Sequence, residues 1–194
     1  NWVDPDGLKQ TPIESKYTMQ DPNWKDKVLT GDSQYTIGQA GCAVTTGANM
    51  ISSDSGSSVT PLQVNNDYVE KGELSWSKLG TAYGYTVDTS HNDNTSQFTH
   101  ETLEAQKNDS EHEYRTVVKV QYRNSESPHW VGVKDSKTID GVDYIEVAAS
   151  SNNDYSITET SLRGQQGWKK EGDHIYVPVN KTKGYVNFIK GKSS

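Results

Sequence analysis

The chain has 194 residues, a hydrophobic fraction of 31%, a formal net charge of −7 and a single cysteine, a size that suits one ordinary domain. One cysteine excludes an intrachain disulfide framework, and the acidic balance argues against a nucleic-acid partner. No stretch approaches the roughly 20 consecutive apolar residues of a membrane-spanning helix. Five Trp, eleven Tyr and two Phe argue for a compact aromatic and aliphatic core under a polar surface, and against disorder.

Residues 1–35 read as loop-rich, punctuated by Pro5, Gly7, Pro12, Pro22 and Gly31. Tyr17, Trp24, Val28 and Leu29 are expected to pin this arm onto the domain. Residues 39–53 read as a helix, with Ala43, Val44, Gly47, Met50 and Ile51 on one face and small residues that permit close packing. A second helix starts at Thr60-Pro61-Leu62-Gln63, which supplies the N-cap, a proline at the first helical position and a capping-box glutamine. It is expected to run to about Glu70, followed by helices over 76–83 and 97–107.

The period then changes from helical to alternating. Strands are expected at 114–123, 129–135, 143–150, 174–180 and 185–189, with an Ile139-Asp140-Gly141 turn between the second and third. Helices first and strands second is the α+β pattern, here with N-terminal helices packed on an antiparallel sheet.

Cys42 falls at the start of the first helix, just after Gly41. Unpaired N–H groups and the positive end of the helix dipole favour a thiolate there, and the thiolate is the nucleophile. The Cys42 N–H is also a candidate oxyanion donor. His129 opens a predicted strand, in Ser127-Pro128-His129-Trp130-Val131-Gly132-Val133, and is the candidate general base. His174, at a later strand start, is the reserve; His91, His100 and His112 lie in polar segments. For a lone cysteine and a strand histidine the plain alternative is inert packing. Asp140, Asp143 and Glu146 read as a solvated turn in preference to a calcium site, and no metal or cofactor is expected.

The order Gly38-Gln39-Ala40-Gly41-Cys42-Ala43-Val44-Thr45-Thr46, then Val59-Thr60-Pro61, then His129-Trp130-Val131 resembles papain-like cysteine peptidases of the bacteriocin-processing type. The resemblance covers roughly residues 35–155 and implies a papain-like fold and a thiol protease or amide hydrolase. It implies a third residue that orients the histidine, an Asp at the end of the following strand in that family. Here Asn152, Asp154 and Ser150 are the candidates, with no Asp-Pro to choose among them. It also implies an oxyanion-hole glutamine shortly before the cysteine. Gln34 is preferred over Gln39, which falls in the helix turn. Trp130 would wall the substrate groove.

A second resemblance rests on Asp4-Pro5-Asp6-Gly7-Leu8. It is similar to the junction that ends the Rhs (YD-repeat) cage core, where cleavage after the Leu frees a C-terminal toxin. The implied organisation is a junction at 1–8, cut at Leu8, an N-terminal arm at 9–35 and a papain-like toxin domain at 36–194. The implied partners are the Rhs cage core, a cognate immunity protein and a protein substrate. The implied setting is interbacterial competition, with a secreted effector delivered into the target-cell cytoplasm. Two other readings stay open: a degenerate peptidase fold that only binds, and a toxin acting on nucleotide or nucleic acid without the cysteine.

Overall fold

The computed structural model describes residues 12–32, 34–54, 57–123 and 128–192. The Asp4–Leu8 junction motif lies outside the described residues. The chain runs α1 (Ile37–Ala40), α2 (Cys42–Ser52), α3 (Pro61–Tyr68), β1 (Val69–Glu70), β2 (Glu73–Leu74), α4 (Trp76–Ala82), β3 (Thr86–Asp88) and α5 (His100–Lys107). It continues β4 (His112–Val120), β5 (His129–Ile139), β6 (Val142–Ala148), a 3-10 turn (Asn152–Tyr155), α6 (Leu162–Gln165), β7 (Lys169–Glu171), β8 (His174–Pro178), a second 3-10 turn (Val179–Lys181) and β9 (Thr182–Gly191).

The architecture is α+β. Seven antiparallel strands form one sheet in the order β3-β9-β4-β5-β6-β8-β7. β5 lies inside it, between β4 and β6, and β5 carries His129. The β5–β6 hairpin turns on Asp140 (φ 50°) and Gly141 (φ 78°). That left-handed pair is the one an Asp-Gly dipeptide accepts at least cost. The Thr60–Gln63 capping box forms as expected, with the Thr60 side chain accepting from Gln63 N–H.

Two cores lie on the two faces of the sheet, as strand alternation requires. The first joins α2 and α4 to Val117, Trp130, Ala148, Val186 and Phe188. The second gathers Val118, Val120, Val131, Val133, Ile145, Val147, Ile175 and Val177 under Phe98, Leu103 and Trp168. Gly47 lets α2 approach α4: a Cβ there would sit 2.8 Å from Leu79 Cδ2. Trp76 packs on Trp130 with ring centroids 4.9 Å apart, a contact worth about 0.5–1.5 kcal/mol beyond its buried area.

Several expected boundaries move. The helix expected over 39–53 is two helices, broken at Gly41. A Cβ at Gly41 would lie 2.4 Å from the Ile37 carbonyl oxygen, so the close turn of α1 demands glycine. α2 does not have one apolar face, because Val44 through Ser52 are all buried. α3 stops at Tyr68 and gives way to the β1–β2 ribbon. α5 starts at His100, where Thr99 caps it. β4 ends at Val120 and β6 at Ala148, each short of its expected end, while β5 and β9 run longer.

The arm packs on the first core through Ile13, Met19, Trp24 and Leu29, with Tyr17 beside them. Val28, expected to help, is 52% exposed; it instead forms an isolated bridge to Thr36. The arm is held as much by polar groups. Asn49 on α2 accepts from the N–H groups of Lys16 and Tyr17 and donates to the carbonyls of Tyr17 and Ala149.

Candidate active site

Cys42 is the first residue of α2, so its N–H and the next two have no partner one turn back within the helix. The residue is half-buried and opens on a cleft of about 1100 Å³. His129 comes from the first position of β5, where Val120 of β4 pairs with it. The backbone beside it is fixed twice, because the Trp130 carbonyl accepts from Thr46 Oγ1 at 2.9 Å and from Ser150 Oγ at 2.7 Å. Thr46 belongs to α2, so the bond that holds the histidine strand also sets its distance from the cysteine helix.

The Cys42 thiol and the His129 ring act on each other's ionisation, while the sulfur itself lies 3.9 Å from the Pro128 carbonyl oxygen. The far ring nitrogen, Nε2, faces Asp154, whose two oxygens lie 2.9 and 3.1 Å away. Nδ1 is therefore the nitrogen that serves the sulfur. The Asp154 carboxylate has no exposed surface. Its Oδ2 accepts from the N–H groups of Ser150 and Ser151, both at 3.0 Å, and its Oδ1 accepts from Arg163 Nε at 2.7 Å.

The charges follow from these contacts. Burial pushes the Cys42 thiol up, but the hydrogen bond and charge of His129, with N–H groups of Trp130 and Ala43, outweigh it and hold the thiol below its ordinary value. Burial alone would lower the imidazole; the Asp154 carboxylate and Cys42 reverse that and raise it to about 9. Burial would raise Asp154, but His129 and Arg163 depress it to about 2. All three directions describe a thiolate–imidazolium pair backed by a carboxylate.

The three candidates for the orienting residue are thus separated. Asp154 holds the imidazole. Ser150 Oγ lies 3.5 Å from Nε2 and gives its proton to the Trp130 carbonyl. Asn152 offers its backbone N–H to Gln20 of the arm. Asp154 was readable as the end of a capping box, Ser151-Asn152-Asn153-Asp154, just past the strand, and the box forms.

Gln34 is exposed, its N–H bound to Asp32, and it does not line the cleft; Gln39 does. The Gln39 Oε1 accepts from Thr36 N–H, which leaves its amide N–H groups as the donors on that wall. Trp130 and Trp76 line the cleft together, and Tyr35 and Leu162 stand exposed on its rim.

The other histidines are engaged elsewhere. His91 stacks on Tyr185, His100 pairs with Ser136, His112 with Asp109, and His174, the reserve, with Glu146. That contact ties Glu146 into the sheet, and Asp143 accepts from Thr138. Among the described residues no group of His, Cys, Asp and Glu could hold a metal ion, and no helix is long and apolar enough to cross a membrane.

Four contributors carried no signal in the sequence. Arg163 sits on a helix of four residues, Leu162–Gln165. Tyr122 and Trp168 flank the His129 ring, with centroids at 5.1 and 6.3 Å. Gln20 reaches from the arm to Ser151 Oγ and the Asn152 N–H. Compared with known proteins, the sequence matches no family model and no curated protein at a significant level.

Proposed function

We propose that this chain is a thiol hydrolase of the papain-like kind that cleaves amide bonds in a protein substrate. The observation that carries the reading is the Cys42–His129–Asp154 row, in which the sulfur lies on an open cleft and both carboxylate oxygens face the far nitrogen of the imidazole. A lone packed cysteine needs neither a buried histidine nor a buried carboxylate behind it, since such groups cost free energy unless paired.

In the proposed reaction the Cys42 thiolate attacks the amide carbonyl carbon. The oxygen becomes an oxyanion, to which the Cys42 N–H and the Gln39 amide donate. The C–N bond breaks as His129 Nδ1 gives its proton to the leaving nitrogen, and a thioester remains on Cys42. Water then attacks the thioester while His129 takes its proton, and thiolate and carboxylic acid are regenerated. A peptide bond yields an amine by these steps; a glutamine side chain yields ammonia. Asp154 keeps Nδ1 turned to the sulfur and stabilises the imidazolium in each half-reaction.

The biological setting we propose is that of an Rhs-type effector delivered into a competing cell, with an immunity protein in the producer. It rests on the Asp4–Leu8 junction motif. Iodoacetamide labelling followed by mass spectrometry tests the chemistry. Wild-type Cys42 is expected to label fast near pH 7, and His129→Ala to label at the rate of an ordinary thiol. Expression in a susceptible bacterium tests the setting: wild type arrests growth, and Cys42→Ala and His129→Ala do not. Slow labelling that ignores His129, or full toxicity of Cys42→Ala, overturns the reading.

A further inference from the structure

Asp154 receives four donors, and three of them are enough to hold it. His129 Nε2 and the N–H groups of Ser150 and Ser151 already fix its orientation. The fourth, Arg163, is a buried cation, with a side chain only 8% exposed. Burying a guanidinium is costly, and a neutral donor would fill the same place on Oδ1. What Arg163 adds is charge. Its guanidinium lies 4.5 Å from the centroid of Tyr122 and 5.4 Å from that of Trp168. These are the two rings that flank His129. One aromatic enclosure therefore holds both the imidazole and the guanidinium.

The result is a row of alternating charge that starts with the thiolate at the cleft and runs inward through a buried imidazolium, carboxylate and guanidinium. With Arg163 the row sums to zero; without it the row carries one net negative charge. We propose that Arg163 is a positioning residue of the Cys42 site that sets the pH range over which the thiolate–imidazolium pair exists. The proposal rests on the reading of Cys42 and His129 as the reacting pair.

A fixed positive charge favours loss of a proton from every titrating group near it, and in a dry site it acts over several ångströms. Removing it moves the proton loss of both Cys42 and His129 to higher pH, and that of His129 more, because it is nearer along the row. The charged and titratable groups around His129 are Cys42 from α2, Asp154 from the 3-10 turn, Tyr122 just past β4, and Arg163 from α6. Arg123 lies 5.1 Å over the Tyr122 ring but is exposed, so solvent screens it.

The test is the pH dependence of Cys42 alkylation by iodoacetamide in the full chain, for wild type, Arg163→Lys, Arg163→Gln and Arg163→Met, with urea midpoints recorded alongside. The wild-type rate should show two inflections that bracket the ion pair. In the Gln and Met variants both should move up by about 0.5–1 pH unit, the upper one more. Arg163→Lys keeps the charge and should keep the wild-type profile. A purely structural role would lower the urea midpoint and leave the inflections in place, and that result overturns the proposal. So does an Arg163→Lys profile displaced as far as that of Arg163→Gln, which also decides the matter if the Met variant fails to fold. If wild-type Cys42 instead shows one ordinary thiol ionisation that His129→Ala does not change, the reacting pair itself is refuted. Two wild-type inflections that the neutral variants leave unmoved would refute the role of Arg163 alone.

Discussion

At the scale of single residues, the third member of the site shows how a backbone feature selects among side chains. Asn152, Asp154 and Ser150 are close enough in sequence for any of them to face His129. The 3-10 turn after β6 selects Asp154, because its carboxylate closes a capping box on Ser151 and so points back toward the strand end. Asp154→Asn keeps the shape and removes the charge. It leaves Arg163 buried without its anion, and breaking a buried pair in this way costs about 3–5 kcal/mol. The imidazolium loses its support, so Cys42 labelling at pH 7 should fall along with the urea midpoint. Asn152→Ala should alter neither, since its contact to Gln20 is made by the backbone. Unchanged labelling in Asp154→Asn would remove that residue from the site.

At the scale of elements, what was legible in the sequence were features with a period or a punctuation mark. The Thr60–Gln63 cap, the Asp140-Gly141 turn and the alternation of β4 and β5 each reflect a local energetic preference, so each could be read locally. The placement of Cys42 at a helix start was legible for the same reason. β3 and β7, of three residues each, and α6, of four, are too short to show a period. They exist because long-range partners complete them. The arm is the fullest case, for it has almost no regular structure and is held in register by the side chain of Asn49. Its amide supplies the donor and acceptor pattern that a neighbouring strand would otherwise supply. No sequence pattern marks such a residue, which reads as a poor helix former inside α2. Asn49→Ala would leave backbone groups of Lys16, Tyr17 and Ala149 without that partner. Net hydrogen bonds are worth about 1 kcal/mol each and orphaned buried groups cost about 1–3 kcal/mol, so a loss of about 2–4 kcal/mol is expected. Limited trypsin digestion should then cut after Lys16, Lys25 or Lys27 well before the rest of the domain. A variant as resistant as wild type would show that the apolar anchors Ile13, Met19 and Trp24 hold the arm unaided.

At the scale of the whole molecule, the site lies where the two cores meet. Cys42 packs against the helical core, while Tyr122 and Trp168 beside His129 belong to the core on the other face of the sheet. The ion pair therefore bridges two layers that fold together, and its ionisation is linked to global stability. His129 is raised from 6.5 to about 9, so its contribution is complete below pH 6.5 and is lost as pH rises through about 9. Cys42 is lowered from 9.0, so its contribution is complete above pH 9 and is lost as pH falls through its folded value. Between the folded ionisation of Cys42 and pH 9 the two trends oppose each other, so the wild-type urea midpoint should change less there than either group alone would make it. Asp154, depressed from 3.8 to about 2, contributes fully above pH 4 and adds no slope there. Cys42→Ser removes the thiol and its opposing trend but leaves His129 paired with Asp154. Its midpoint should therefore fall more steeply than that of wild type between pH 6.5 and 9. The comparison of the two curves isolates the pair, because every other titrating group is common to both proteins. Parallel curves would mean that folding does not shift the ionisation of the thiol, and that Cys42 and His129 are not a coupled pair.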